Sequence, residues 1–378
     1  MYFQAAETIG PRLQLSQYMG FTTTSYPAIC FYIHHHGAGH ITRAISIAAA
    51  IKDFPVCFLG SNLKPYADLI SSHIECIHLP MDVPLDDEPE LPPAELNFLH
   101  YAPLGLEGIR RRADILTGVF REKYPMILVV DVSVEVTLLA RLCGIPTVVM
   151  LQHGRRNDEP HRNAYQSAQL LIAPFSPVMA SGGIAEEFAA KTFYSGGFSR
   201  YSNLNLSTNI HESPGHLAIL TGKGGTSVDP EFIIFLANQC PGYVFHVIGQ
   251  LAPEDAKAPD NIIWHGHQHD PLDLLLMCEI VIGNAGHNTV MEMADLNKRF
   301  ICIPEERPFE EQEQKAALLA QNGKAVLVKA SDLYAEDWPA LLDDVGQLTP
   351  DWTNVINPEA LLNIAEKLRI TAEDLYLR

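Results

Sequence analysis

Positive charge is the scarcest resource of this chain. Over 378 residues, 26 Lys and Arg face 45 Asp and Glu, a net charge of -19. Most of such a surface repels nucleic acid and anionic lipid, so an anionic ligand must be held by local amides and a few basic side chains. Long apolar runs are missing too. None approaches the roughly 18 residues that span a bilayer, and the best stretch, 272–282, is broken by Asp273 and Glu279. No basic, apolar, small-residue leader opens the chain, so no secretory signal is expected. The seven cysteines, at 30, 57, 76, 143, 240, 278 and 302, show no CxxC spacing. They are expected to be reduced core residues of a cytoplasmic protein, with no structural metal.

What the chain does have is alternation. Short apolar strands at 28–34, 56–59, 75–78, 126–130, 147–150 and 170–173 are separated by helical patterns, among them 41–52, 63–72, 104–122 and 135–143. Between Asp82 and Glu95 lie six acidic residues and four prolines, a loop. A Ser-, Asn- and Gly-rich stretch, 198–215, lacks a hydrophobic period. A second alternating block follows, with strands at 217–220, 243–248, 262–265, 280–282, 300–303 and 325–328. Helices are expected at 230–239, where Asp229 and Pro230 form an N-cap and first-turn pair, and at 309–322, ended by Gly323. Strand–helix alternation implies parallel sheets covered on both faces. The expected fold class is α/β: two doubly wound, Rossmann-like domains facing across a cleft. The expected divisions are a lead-in 1–26, a first domain 27–199, a linker 200–215, a second domain 216–345 and a helical tail 346–378.

In such domains ligands sit beyond the carboxyl ends of the strands, and three polar turns lie there in the second block. Thr221–Thr226 carries Gly222, Lys223, Gly224 and Gly225, a cradle for phosphate without the Gly-Lys-Ser/Thr ending of a P-loop. Gly283–Met293, GNAGHNTVMEM, runs from strand into helix. Its Thr289 and Glu292 fit a capping box, while Gly286, His287, Asn288 and Thr289 crowd hydrogen-bonding groups at a helix N-terminus. Glu305–Gln312 places Glu311 and Gln312 at a helix start, where a carboxylate and a carboxamide suit vicinal sugar hydroxyls, although acidic first turns also serve the helix dipole.

These three turns in order resemble the donor signature of nucleotide-sugar glycosyltransferases of the GT-B fold. The resemblance is to the peptidoglycan-precursor N-acetylglucosaminyltransferases and to the macrolide and plant UDP-glycosyltransferases. It covers the layout of most of 28–330 and is motif-specific in patches. It implies that Glu292 binds ribose hydroxyls, Asn288 and Thr289 a phosphate, and Glu311 with Gln312 the transferred sugar. Gly222–Gly225 would face the diphosphate. Arg200, in Gly196-Gly197-Phe198-Ser199-Arg200, would reach the diphosphate as well, and Gly266-His267 would meet the base. Asn284 stands where many relatives have a phosphate-binding His, a role His287 could take instead. A nucleotide-sugar, a UDP-sugar by resemblance alone, is then co-substrate to a hydroxyl acceptor that the sequence does not identify, and no cofactor or divalent metal is expected.

In the first block, His34–His40 joins a strand to a helix. It is not a dinucleotide fingerprint, because Thr42 replaces the third glycine. The resemblance places Gly37–His40 at the catalytic loop. A histidine at a helix N-terminus is held neutral by the dipole and can act as base. His40 is the first candidate and His36 the second. Asp131, ending the strand at 126–130, either orients that base or caps the next turn. Arg155 and Arg156, in the loop 152–159, suit either an anionic acceptor or surface ion pairs. An epimerase of the same architecture, or a non-catalytic nucleotide-sugar binder, is the alternative to a transferase.

Overall fold

The structure, a computed structural model, describes residues 26–35, 37–85, 88, 91, 96–180, 186–202, 204, 212–222, 225–249 and 259–377. His36, Lys223 and Gly224 therefore lie outside the described residues.

The first half begins with β1 (Ala28–Ile33), α1 (Gly39–Ala50), β2 (Val56–Gly60), β3 (Glu75–His78), α2 (Glu107–Glu122) and β4 (Met126–Asp131). It continues with α3 (Val134–Leu142), β5 (Thr147–Met150), α4 (Glu159–Ser167), β6 (Leu170–Ala173), α5 (Glu186–Ala189) and β7 (Thr192–Tyr194). Its strands form one sheet in the order β3-β2-β1-β4-β5-β6-β7, parallel throughout. β1 and β4 are buried along their whole length, as strands covered on both faces must be. Period-two alternation sends Ile29, Phe31 and Ile33 to one core and Ala28, Cys30 and Tyr32 to the other.

The second half holds β8 (Ser213–Leu220), α6 (Pro230–Gln239), β9 (Val244–Ile248), β10 (Ile262–Gly266), α7 (Leu272–Met277), β11 (Cys278–Gly283) and α8 (His287–Asp295). After them come β12 (Arg299–Cys302), α9 (Glu311–Gln321), β13 (Val326–Leu327), α10 (Trp338–Gln347) and α11 (Ala360–Tyr376). The sheet order is β10-β9-β8-β11-β12-β13, again parallel. The expected α/β architecture is thus present in both halves.

In each sheet the strand order reverses next to the first strand, the place where doubly wound sheets hold ligands beyond the carboxyl ends. β1 and β4 meet with Ile33 opposite Asp131. β8 and β11 meet with Leu220 opposite Gly283. The histidine loop leaves β1, the first two expected turns leave β8 and β11, and the third leaves the neighbouring β12. One core joins the halves: Val149, Leu151, Ala173 and Phe175 pack with Val290, Met291, Met293 and Phe300.

Some expectations fail locally. The helix expected over 63–72 is a 3-10 segment, Lys64–Leu69. β7 and α10 were unforeseen. β8 starts at Ser213, inside the stretch assigned to a linker. The C-terminal helix does not trail free. Ile364, Leu368 and Ala372 of α11 share a core with Ile41, Ala44 and Ile47 of α1, and the Tyr376 hydroxyl donates to the Met126 carbonyl at 2.8 Å. All seven cysteines are free, but Cys143 is exposed rather than in the core.

Candidate active site

α1 begins at Gly39 without a side-chain cap, which leaves His40 in its first turn. His40 Nδ1 lies 3.2 Å from Asp131 Oδ1, and Arg43, one turn on, places Nε 3.0 Å from Asp131 Oδ2. Asp131 is buried, and burial alone would raise its pKa. The charges of Arg43 and His40 outweigh that and hold it at about 2. Arg43 Nη2 is also 3.3 Å from His40 Nδ1. Nδ1 thus faces a donor, Arg43, at 3.3 Å and an acceptor, Asp131, at 3.2 Å, which ask for opposite tautomers; a proton on Nδ1, directed at Asp131, is the tautomer that leaves Nε2 as an acceptor. Asp131 does not cap the next helix: Ser133 does, accepting from the Val136 amide at 3.2 Å.

In the second half, the residues that close the Gly-rich turn, Gly225 to Ser227, are tied down by a residue the sequence did not single out. One Glu305 carboxylate oxygen accepts from Thr226 Oγ1 at 2.9 Å, the Ser227 amide at 2.7 Å and Ser227 Oγ at 3.0 Å. Arg307 Nη2 donates to the Gly225 carbonyl at 2.8 Å. Gly266 takes a positive φ of 63° and accepts from the Gly249 amide at 2.8 Å, while His267 is exposed.

The expected capping box does not form. α8 starts at His287 with Gly286 as its N-cap and no side-chain cap, so Thr289 is already inside the first turn. Glu292 turns instead to Arg200, with Nε 3.0 Å from Oε1 and Nη2 3.4 Å from Oε2. Burial pushes the Glu292 carboxyl up to about 7 in spite of Arg200. The amides of His287 and Asn288 are left as donors at a helix N-terminus. Asn284 is buried beside Gly222 and Gly286. Asn288 Nδ2 donates to Thr42 Oγ1 of α1 at 3.0 Å, so in this state it ties the two halves together. His287 and His153 are both held well below the ordinary imidazole value, by burial first and by Lys315 and Arg43 among the nearby charges.

Glu311 opens α9, preceded by Phe309 and Glu310 with φ of 62° and 54°. That double left-handed step makes the helix expected over 309–322 start two residues late, at Glu311, and points Phe309 at the first half. Its ring lies 4.8 Å from that of His161 and 5.2 Å from that of His100. Arg156 Nη2 pairs with Glu311 Oε2 at 3.2 Å, and Lys315 Nζ is 3.6 Å from Glu311 Oε1. Burial would raise the Glu311 pKa; Lys315 and then Arg156 bring it below the ordinary value. Gln312 is buried and its Oε1 accepts from the Glu305 amide at 3.0 Å, closing the third turn on the residue whose carboxylate holds Thr226 and Ser227. Arg155 and Arg156 part ways. Arg155 is an exposed partner of Glu310, and Arg156 is buried.

Among the described residues one group has metal-ligand composition: His100, Asp158 and His161, with ligand atoms within 4.8 Å of one another. Its geometry is that of hydrogen bonding. Arg156 Nη1 is 3.2 Å from His161 Nε2, which leaves the His161 proton on Nδ1, directed at Asp158 Oδ1. Asp158 Oδ2 meets His100 Nε2 at 2.7 Å.

Residues 243–347 match the Glycosyltransferase family 28 C-terminal domain. No curated protein matches the chain. Among solved structures, MurG of Acinetobacter baumannii superposes with a TM-score of 0.58 at 16% identity, covering 91% of this chain and 95% of that one. CalG4, the calicheamicin glycosyltransferase, gives 0.61 at 12% identity, over 93% and 98%. The UDP-GlcNAc 2-epimerase of Methanocaldococcus jannaschii gives 0.60 at 12%, over 91% and 99%. The chain has the fold of these GT-B structures, and the part of its second half over 243–347 is similar to the glycosyltransferase family 28 C-terminal domain.

Proposed function

We propose that this protein transfers a hexosyl group from a nucleotide-sugar, a UDP-sugar in the simplest reading, to a hydroxyl acceptor with inversion at the anomeric carbon. The observation that carries the reading is the meeting of two sites across one crevice. The His40 imidazole, backed by a buried, ionised Asp131, sits at the start of a helix that Thr42 and Asn288 tie to the N-terminus of α8, and the second half adds Gly222, the buried Glu292 and the half-buried Glu311. His40 Nε2 takes the acceptor proton as its oxygen attacks the anomeric carbon from the face opposite the diphosphate. The bond from that carbon to the diphosphate breaks, and its electron pair leaves with the diphosphate. The α8 amides, Gly222–Gly225 and Arg200 receive that charge, so the residues supply the stabilisation without a divalent metal. Glu292 takes the ribose hydroxyls, Gly266-His267 the base, and Glu311 with Gln312 the sugar. Free cysteines agree with a reducing, cytoplasmic setting.

The epimerase reading is favoured by one observation, the similarity to an epimerase structure. Proton NMR of UDP-N-acetylglucosamine, UDP-glucose, dTDP-glucose and GDP-mannose incubated with the protein alone separates the two. Slow release of nucleoside diphosphate with an unchanged sugar skeleton supports the transferase. Isomerisation at a sugar carbon supports the epimerase, and binding with no turnover supports a non-catalytic binder.

A further inference from the structure

Arg156 comes from the loop after β5, in the first half, yet its guanidinium ends in the second half's candidate sugar site. It is 7% exposed and every side of it is occupied. Nε donates to the His153 carbonyl at 2.9 Å, Nη1 lies 3.2 Å from His161 Nε2, and the group stacks over the Phe309 ring at 4.9 Å. Only Nη2 reaches out, to Glu311 Oε2. His161 is itself fixed by Asp158, so a chain of contacts runs from Asp158 through His161 and Arg156 to Glu311. Lys315, wholly buried, holds the other oxygen and donates to the Ala285 carbonyl at 3.2 Å.

We propose that Arg156 is a positioning residue for sugar recognition: it fixes the Glu311 carboxylate from the opposite half, so that Glu311 is set for sugar hydroxyls only when the halves are together. The inference rests on the donor-site reading above. A carboxylate offers about four lone-pair directions. One contact to each flanking cation restrains its plane and leaves directions over for ligand hydroxyls. The neighbouring Arg155 is a built-in control, since its ion pair with Glu310 is 69% and 48% exposed and carries little energy.

The test is calorimetric: UDP-N-acetylglucosamine against UDP, and dTDP-glucose against dTDP, with the sugar-bearing and sugar-free ligands compared for each protein. Arg156→Gln and Glu311→Gln should each weaken the nucleotide-sugar by about tenfold or more, the loss of a charged hydrogen-bond partner, with the matching diphosphate within about twofold. The double variant should be no worse than the weaker single. Arg156→Lys should recover part of the loss, and Arg155→Gln should bind both ligands as the unaltered protein does. Equal loss for sugar-bearing and sugar-free ligands, or additive single effects, overturns the inference. Arg156→Lys keeps the buried charge but not the fixed planar grip on Glu311, so a partial loss confined to the nucleotide-sugar keeps the inference testable if Arg156→Gln does not fold, and no such selectivity overturns it. Absence of binding by any of the four nucleotides to the unaltered protein overturns the donor-site reading, and this inference with it.

Discussion

Arg200 and Glu292 form a two-pronged ion pair, Nε to Oε1 at 3.0 Å and Nη2 to Oε2 at 3.4 Å, at the place proposed for the ribose. Glu292 is buried and Arg200 is partly exposed, so the arginine is the member free to move. A diphosphate would draw Arg200 away and release Glu292 for the hydroxyls. Arg200→Gln should therefore weaken UDP by about tenfold or more while weakening uridine less, or even tightening it. Titration calorimetry with both ligands checks the crossing, and parallel losses would refute it.

The same pair sets a pH dependence. The folded carboxyl of Glu292 stands at about 7 against an ordinary 4.5. A raised acid stabilises the fold fully below its unfolded value, and that contribution is lost as pH climbs through the folded value. Stability should fall between pH 4.5 and about 7, by on the order of 3 kcal/mol at most. Glu292→Gln should flatten that stretch of the denaturation profile. Donor affinity should move the other way, rising with pH through the same window as the carboxylate forms.

His40 and Asp131 carry the chemistry in this account. Asp131→Asn keeps the shape but reverses the hydrogen bond that sets the His40 tautomer, and His40→Ala removes the base. Each should lower kcat by about 10²–10⁴ with donor affinity unchanged. Turnover and calorimetry on the same preparations check it, and near-native kcat in His40→Ala would place the base elsewhere.

Gly154 has φ +102°, and a Cβ there would sit 2.5 Å from the Phe309 carbonyl, the acceptor of the Arg155 amide. Gly154→Ala combines backbone strain with a clash between the halves. It should cost about 1–3 kcal/mol, read as a lowered midpoint in denaturant.

The two sheets were legible because buried parallel strands are apolar runs, and the Asp229 cap was legible because its chemistry is local. Its carboxylate accepts from the Phe232 amide at 2.8 Å. The capping box at Thr289 was misread for a physical reason: the same spacing is also found inside a first turn, and Glu292 has a stronger partner 92 residues away. Glu305 was missed, and Arg156 was offered only to an anionic acceptor or a surface ion pair, because their partners lie 78–79 and 155 positions distant. α10 had a readable start, Asp337 before a Pro in the first turn. β7 is only three half-buried residues and had none. The expected helical tail holds α11, but a local pattern could not say that its apolar face rests on α1.

The central claim is that the crevice at Leu220 and Gly283 holds a nucleotide-sugar. The most direct measurement is the thermal transition with UDP-N-acetylglucosamine, UDP-glucose, dTDP-glucose, GDP-mannose and their diphosphates, for the unaltered protein and for Glu292→Ala. A ligand at about 100 times its Kd adds about 2.7 kcal/mol to folding. At least one nucleotude should raise the transition clearly, and Glu292→Ala should lose most of that rise. A transition that no nucleotide moves would contradict the account.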